Sequence, residues 1–244
     1  MGLSLRCFRR PAGSRRVVPA VTRGGPQHIP RPAGVRAGAA APWGELAPPE
    51  RLVDLEVLRD RLRDRREPQQ PASGQRLSAV LIPLYAHREE PYVILTRRAA
   101  HLRTHSREVA FPGGGREPGD ADLWETALRE TREEIGLDPA AALPIGELDP
   151  FFTVGSDSLV HSYVAELPAG RPGGLRPDPA EVEKILHVPL RDLLEPDVYR
   201  QELWPRDGTM RPINFFEIPG DTIWGATAAI LRQLLVIAVG PPAR

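Results

Sequence analysis

The chain opens with a long stretch that has no apolar periodicity, and helix-like and strand-like patterns alternate after it. Leucines recur at spacings of three and four after Pro48, which predicts a helix over residues 48–66 with one buried stripe. The stripe consists of Leu52, Leu55, Leu58 and Leu62. A second helical pattern covers residues 122–134, and a third, almost wholly apolar, covers residues 222–239.

Short runs rich in β-branched and aromatic residues predict the strands. These runs are residues 78–85, 92–96, 108–111, 159–164 and 213–218. The polar residues 87–91 would join the first two strands as a hairpin turn. Asp120 or Asp122 would cap the second helix, and Gly136 would end it. The alternation of strands and helices predicts a single α/β domain.

Charge is distributed unevenly along the chain. The 32 basic and 32 acidic side chains sum to zero, which argues against a dedicated nucleic-acid binder. Residues 1–44 contain arginines but no acid, and the first acid is Glu45. Because this stretch is also rich in proline and poor in large apolar residues, we predict a disordered basic tail over residues 1–46. Residues 47–244 would form the folded domain.

The tail bears on localisation. Its arginine-rich, acid-poor composition is typical of an organellar transit peptide, but its prolines oppose the amphipathic helix that such a peptide needs. We therefore expect a cytoplasmic protein, with a mitochondrial location as the alternative. Residues 223–239 are interrupted by Arg232, so we expect a core helix and no membrane partner. Cys7 is the only cysteine, which excludes a disulfide framework and a cysteine-ligated zinc site.

Three glutamates of the second predicted helix carry the candidate chemistry: Glu130, Glu133 and Glu134. Helical geometry places them within an arc of about 100°. Such close carboxylates repel one another, and a divalent cation that prefers oxygen ligands, such as Mg²⁺, would remove the repulsion. The alternative is an ordinary solvated face. The glycine-rich turn at residues 112–115 favours the first interpretation, because its backbone N–H groups can approach a phosphate closely.

The same stretch resembles a known family. Residues 129–137 (RETREEIGL) are similar to the second half of the Nudix box, R-E-U-x-E-E-x-G-U, where U is a bulky apolar residue and Thr131 stands at the first U. The first half of the general box fits poorly, because Ala121 occupies its glutamate position. The coenzyme A pyrophosphatase branch of the family fits better, since residues 111–114 (FPGG) and Asp120 match its longer loop.

A pattern upstream of the glycines points to the same branch. Residues 95–99 (LTRRA), Arg103, His105 and Glu108 are in register with the branch's L-T-x-R-S/A and L-R-x-H-x-G-E-V-A-F-P-G-G. Arg107 departs from it, because the branch has glycine there. If that glycine adopts a positive φ or allows close approach of a ligand, Arg107 puts the local geometry and the substrate fit in doubt.

The resemblance implies a fold and an activity. The fold would be the Nudix fold, an α/β/α sandwich with a mixed β-sheet. The activity would be Mg²⁺-dependent hydrolysis, with Mn²⁺ as a substitute, of the pyrophosphate in coenzyme A or its derivatives. The products would be 3′,5′-ADP and 4′-phosphopantetheine or its acylated form. The partner would thus be a small-molecule nucleotide, and a homodimer stays open.

The resemblance also implies roles for individual residues. Glu130, Glu133 and Glu134 would bind the metal, and either Glu133 or the later loop acid Glu181 would be the general base. Arg129 would orient a glutamate. The substrate phosphates would be bound by five residues: Arg98, Arg103, His105, Gly113 and Gly114.

Two other functions stay open. One is a Nudix hydrolase for another nucleoside diphosphate derivative, such as ADP-ribose, NADH or an oxidised nucleotide. The other is a Nudix-fold sensor that binds a nucleotide without cleaving it. The intact glutamate cluster argues against the sensor, because mere binding has no need of clustered carboxylates.

Overall fold

The computed structural model of the chain describes residues 23–25, 27–63, 76–153 and 158–240. Its strands are β1 (Arg36–Ala37), β2 (Arg76–His87), β3 (Glu90–Arg98), β4 (Val109–Ala110), β5 (Gly113–Gly115), β6 (Leu143–Thr153), β7 (Ser158–Glu166), β8 (Val182–Pro189), β9 (Tyr199–Arg206), β10 (Thr209–Ile218) and β11 (Asp221–Trp224). Its α-helices are α1 (Leu55–Arg63), α2 (Leu123–Ile135), α3 (Leu190–Leu193) and α4 (Gly225–Val239). Single 3₁₀ turns cover Pro48–Arg51 and Pro139–Ala141.

A mixed sheet lies at the centre of the fold. Its strand order is β4-β3-β2-β7-β6, with β5 also paired to β2 and β8 also paired to β3. The β2–β7 pair is parallel and the other pairs are antiparallel. The twelve residues of β2 are long enough to pair with β5 near one end and with β3 at the other. The β2–β3 connection is a two-residue turn, in which Arg88 and Glu89 both have positive φ.

Alternating side chains of β2 supply both faces of the sheet. Ala79 and Leu81 pack with Ala127 and Ile135 of α2 on one face. The opposite face packs on α1, on α4 and on a second, antiparallel sheet with the order β1-β9-β10-β11. The predicted α/β/α sandwich with a mixed sheet is confirmed, and the second sheet adds to it.

The predicted tail differs most from the structure. Residues 27–46 pack on the domain: β1 pairs with β9, and Trp43 is 1% exposed. The Trp43 ring lies 5.4 Å from the ring of Tyr199 and 6.1 Å from that of Phe216, measured between centroids. The prediction of disorder is therefore wrong for these residues, because one large aromatic side chain anchors a segment of otherwise weak apolar content. Residues 1–22 lie outside the described part.

Two predicted helix starts are also wrong. The segment from Pro48 forms only a 3₁₀ turn, and α1 begins at Leu55, where the Asp54 carboxylate accepts hydrogen bonds from the next N–H groups. Leu52 is 67% exposed and so leaves the predicted stripe. The predicted end of this helix at residue 66 lies outside the described residues.

The last helix starts later than predicted. Residues 222–224 pair with β10 as part of β11, so α4 begins only at Gly225. Its buried residues include Leu231, Leu234 and Leu235, as expected of a core helix. Among the described helices, none is long and apolar enough to cross a membrane.

Candidate active site

Helix α2 carries the acidic cluster, and local signals fix both of its ends. The Asp122 carboxylate accepts a hydrogen bond of 2.8 Å from Glu125 N–H, and Gly136 closes the helix in the left-handed conformation with φ +70°. Thr131 is 1% exposed, and its hydroxyl donates to the carbonyl of Ala127 at 2.6 Å. The polar residue at an apolar position of the motif is therefore satisfied within the helix.

Arg129 and Asp120 tie the loop before α2 to the helix. Arg129 Nε lies 2.9 Å from Asp120 Oδ1, and a terminal nitrogen lies 3.2 Å from Oδ2, so the pair is bidentate. Asp120 also accepts from Thr126 Oγ1 at 2.8 Å and from Glu117 N–H at 2.9 Å. These bonds, with Arg129 first, hold the pKa of Asp120 well below its usual range, and Asp120 in turn raises the pKa of Arg129.

The same guanidinium also reaches the acidic cluster. One terminal nitrogen of Arg129 lies 3.1 Å from Glu130 Oε1 and 3.0 Å from Glu133 Oε2. Another donates to the carbonyl of Gly115 at 3.1 Å. Arg129 therefore contacts two glutamates of the cluster and joins the glycine turn to the helix.

The glycines of β5 pass directly over the α2 carboxylates. A Cβ atom on Gly114 would lie 2.4–2.6 Å from the carboxyl atoms of Glu130, and one on Gly113 would lie 2.3 Å from the carbonyl oxygen of Ala79. A Cβ at position 113 would clash with backbone, and one at position 114 would force the Glu130 carboxylate to move. The Gly113 N–H donates to Glu134 Oε2 at 3.4 Å, so this predicted phosphate donor is directed at a carboxylate.

Glu134 lies deepest in the cluster. It is 4% exposed, and burial, the largest cause, raises the pKa of its carboxyl to about 8. The negative charges of Glu181 and Glu130 raise it further, and Arg98, whose terminal nitrogen lies 3.9 Å from Glu134 Oε1, opposes them. Burial also raises the pKa of Glu130.

The two candidate bases lie in different surroundings. Glu181 is close enough to Glu130 and Glu134 for its charge to act on both. Its backbone is fixed to Asp178, which donates an N–H to the carbonyl of Glu134 at 2.8 Å. The Glu133 side chain is 59% exposed at the rim and paired with Arg129.

The carboxylates that the structure describes do not surround an ion site in their present positions. Within the described ranges, no three His, Cys, Asp or Glu side chains are grouped so that they could hold an ion as they stand. Arg129 holds Glu130 and Glu133, which explains part of this arrangement. The donors nevertheless suit a hard cation. Such an ion binds carboxylate oxygens and offsets the repulsion between neighbouring carboxylates.

The remaining predicted substrate residues lie at the end of β3 and on the loop after it. The Arg98 N–H donates to the carbonyl of Glu108 at 2.9 Å, which closes the loop of residues 99–107 at its base. Arg103 and His105 are exposed on this loop, and His105 Nδ1 lies 2.9 Å from a Glu108 carboxylate oxygen. The structure therefore brings Arg98 to the acidic cluster and leaves Arg103 and His105 at the surface.

Arg107 adopts a backbone conformation that favours glycine, the residue that the branch has at this position. It has φ +59°, and His105 has φ +55°, both in the left-handed region that costs a residue with a side chain about 1–2 kcal/mol. A glycine would adopt this conformation freely, and Arg107 needs support from its neighbours. The Arg107 carbonyl accepts a hydrogen bond from the side-chain amide of Gln27 at 3.2 Å. The composition of the chain had placed Gln27 in the tail, and no periodic or motif signal marks this residue.

Comparison with known proteins places the site in a family. The sequence model described as the NUDIX domain matches residues 75–208. A protein of Photorhabdus laumondii named uncharacterized Nudix hydrolase NudL is 38% identical over 167 residues, which cover 68% of this chain and 87% of that protein. The NudL protein of Yersinia pestis is 37% identical over 163 residues, which cover 67% and 80%.

Solved structures show looser similarity. RenU, a Nudix hydrolase from M. smegmatis, is 16% identical with a TM-score of 0.46 over 70% of this chain and 90% of its own. The NUDIX domain of Shewanella oneidensis NrtR, solved with ADP ribose, is 21% identical with a TM-score of 0.41 over 52% and 82%.

Proposed function

The chain belongs to the Nudix hydrolase family, whose members hydrolyse acid anhydrides in nucleoside diphosphate derivatives, and on that premise we propose its substrate. We propose that it cleaves the pyrophosphate of coenzyme A or its acylated derivatives to 3′,5′-ADP and 4′-phosphopantetheine or acyl-phosphopantetheine. The observation that carries the proposal is the match of residues 95–114 with the coenzyme A branch, which departs from it at Arg107 and precedes the glutamate cluster of α2.

Glu130, Glu133 and Glu134 would hold Mg²⁺, or Mn²⁺ in its place. The ion would supply positive charge beside a pyrophosphate whose own charge repels a nucleophile. For Glu133 to join the other two, its ion pair with Arg129 must open. Arg129 itself stays in place through its bidentate contact with Asp120.

Glu181 is the general base that the arrangement favours. A water that attacks the pyrophosphate loses a proton, and the acceptor must be close to the reacting phosphorus and free of a strong cationic partner. Glu181 is near enough for its charge to raise the pKa of Glu130 and of Glu134, whereas Glu133 is paired with Arg129 at 3.0 Å. Comparing the pH–rate profiles of Glu181→Gln and Glu133→Gln tests this choice. The rate rises with pH as the general base loses its proton, and this rising limb should disappear in the variant that lacks the base.

Arg98 is the cation best placed to bind a phosphate near the carboxylates. Its charge lowers the pKa of Glu134, and its Nε has no hydrogen-bond acceptor among the described residues. Arg103 and His105, on the exposed loop, would contact a more distant part of the substrate. The 3′-phosphate of coenzyme A is an anion of the kind that such surface groups bind.

A panel of substrates tests the proposal. The full chain is incubated with coenzyme A, an acyl-coenzyme A, ADP-ribose and NADH in parallel, with Mg²⁺ or Mn²⁺, and the products are identified by mass spectrometry. We expect 3′,5′-ADP and 4′-phosphopantetheine from coenzyme A at the highest kcat/KM. Faster cleavage of ADP-ribose or NADH would indicate another Nudix specificity. Binding without cleavage of any compound would indicate a sensor.

A further inference from the structure

Gln27 lies beneath the loop of residues 99–108 and contacts it from the N-terminal segment. We propose that Gln27 is a positioning residue, which holds Arg107 in its left-handed conformation and so fixes the presentation of Arg103 and His105 to substrate. The kinetic part of this inference rests on the proposed function. The structural part does not.

The side-chain amide of Gln27 is fully used by this arrangement. Gln27 is 8% exposed, and its Nε2 donates to the carbonyl of Arg107 at 3.2 Å and to Asp221 Oδ1 at 2.8 Å. Its Oε1 accepts from Thr222 N–H at 2.9 Å. One amide therefore joins the loop to the start of β11 through both donors and its acceptor.

Asp221, the second partner of the Gln27 amide nitrogen, is itself buried and paired. Asp221 is 1% exposed and forms a bidentate pair with Arg97, at 2.7 Å between Nε and Oδ1 and 2.6 Å between a terminal nitrogen and Oδ2. Arg97 belongs to β3 in the central sheet. Gln27 thus connects Arg107 to the central sheet through the buried Asp221 and its pair with Arg97.

Glu183 completes a ring of contacts around Arg107. It lies 3.2 Å from a terminal nitrogen of Arg97 and 4.0 Å from Arg107 Nε. Gln27 thus holds the Arg107 carbonyl through a hydrogen bond, and Glu183 adds a weaker, solvent-exposed charge interaction with the Arg107 guanidinium. A strained, non-glycine residue persists only where its surroundings fix it in this way.

Arg107 lies close in the chain to the residues proposed to bind substrate. Arg107 precedes Glu108, whose carbonyl accepts from the N–H of Arg98, and Arg98 faces Glu134. The same loop carries Arg103 and His105. Helix α2 is fixed separately, through Asp120 and Arg129. Loss of Gln27 should consequently disturb binding of the substrate more than the chemical step.

Steady-state kinetics with coenzyme A provide the first test. We expect Gln27→Ala to raise KM about fivefold, as for the loss of one net hydrogen bond, with kcat changed less than about twofold. Gln201→Ala is the matched control, because Gln201 also anchors the N-terminal segment, by accepting from Ala39 N–H at 3.0 Å, but does not touch the loop. The control should leave KM unchanged. Equal effects of the two variants would overturn the proposal.

The Arg107→Gly background separates positioning from general stability. Glycine adopts the left-handed conformation without support, so Gln27→Ala should have less than about a twofold effect on KM in that background. An undiminished effect there would contradict the proposed role.

Hydrogen exchange gives a readout that does not depend on activity. Gln27→Ala should accelerate amide exchange in residues 99–108, while exchange in α2 stays as in the parent. Unchanged exchange in the loop would overturn the proposal. Faster loop exchange in a protein that does not cleave coenzyme A would support the positioning role and refute the proposed function.

Discussion

The buried carboxyl of Glu134 should make the stability of the protein depend on pH in a specific direction. Its pKa is raised from the usual 4.5 to about 8, so the folded protein keeps a proton that the unfolded chain releases near pH 4.5. Between these values unfolding releases a proton from Glu134, so the contribution of this group to the free energy of unfolding falls as the pH rises. Above about pH 8 the contribution levels off.

The size of the effect follows from the same values. Each tenfold change in proton affinity is worth about 1.4 kcal/mol, so the full penalty for ionising Glu134 is roughly 5 kcal/mol, and most of it accrues between pH 5 and 8. Glu134→Gln replaces the carboxyl with an amide of similar shape that does not ionise. We expect the variant to be more stable than the parent in EDTA, with a difference that grows by about 3 kcal/mol from pH 5 to pH 8.

Urea unfolding in EDTA at a series of pH values measures this difference. Glu133→Gln is the control, because it removes an exposed carboxylate from the same helix and should keep the parent's pH dependence. If parent and Glu134→Gln had parallel profiles, Glu134 would not be a buried, destabilised acid, and the account of the acidic cluster would fail.

Three further changes test other contacts. Gly114→Ala should lower turnover about a hundredfold, since its Cβ would displace the Glu130 carboxylate, whereas Gly115→Ala, whose Cβ meets nothing within 4 Å, should be nearly silent in the same kinetic assay. Trp43→Ala should lower the free energy of unfolding by about 3–5 kcal/mol in urea titrations, and a stability near the parent's would show that residues 27–46 do not belong to the core. Arg129→Lys should lower both the thermal midpoint and kcat, because an ammonium group cannot reproduce the bidentate contact with Asp120; parent-like values would refute that role.

Local signals made α2 predictable from sequence. The Asp122 cap, the Gly136 stop and the spacing of apolar residues all lie within the helix or beside it, and the structure bears out each of them. The glycines before the helix were informative for a similar reason, because a side chain at position 114 would force the Glu130 carboxylate to move. Short-range geometry thus accounts for most of the candidate site.

Long-range contacts account for what the sequence did not reveal. Strand β6 contains Gly146 and two prolines, which obscure its pattern, and its pairing with β7 decides its structure. Residues 222–224 have a helical pattern but are drawn into β11 by pairing with β10. The burial of Trp43 and Gln27 depends on partners more than 150 positions away in the chain. No local pattern contains this information.

Acidic and basic side chains lie together at the candidate site. The net charge of zero conceals a concentration of acid on α2 and at Glu181, where burial and mutual repulsion raise the pKa values of Glu130 and Glu134. Arg98 and Arg129 border this concentration. An anionic substrate would consequently approach a site whose acids are balanced locally by arginines, and by the metal in the proposed mechanism.

Turnover of coenzyme A by Glu134→Gln, beside the parent and with saturating Mg²⁺, tests the central claim most directly. The account predicts that the variant stays folded and that kcat falls at least about a hundredfold, because a buried carboxylate of the metal-binding group is lost. A variant that cleaved coenzyme A at the rate of the parent would show that the chemistry does not take place at the acidic cluster of α2.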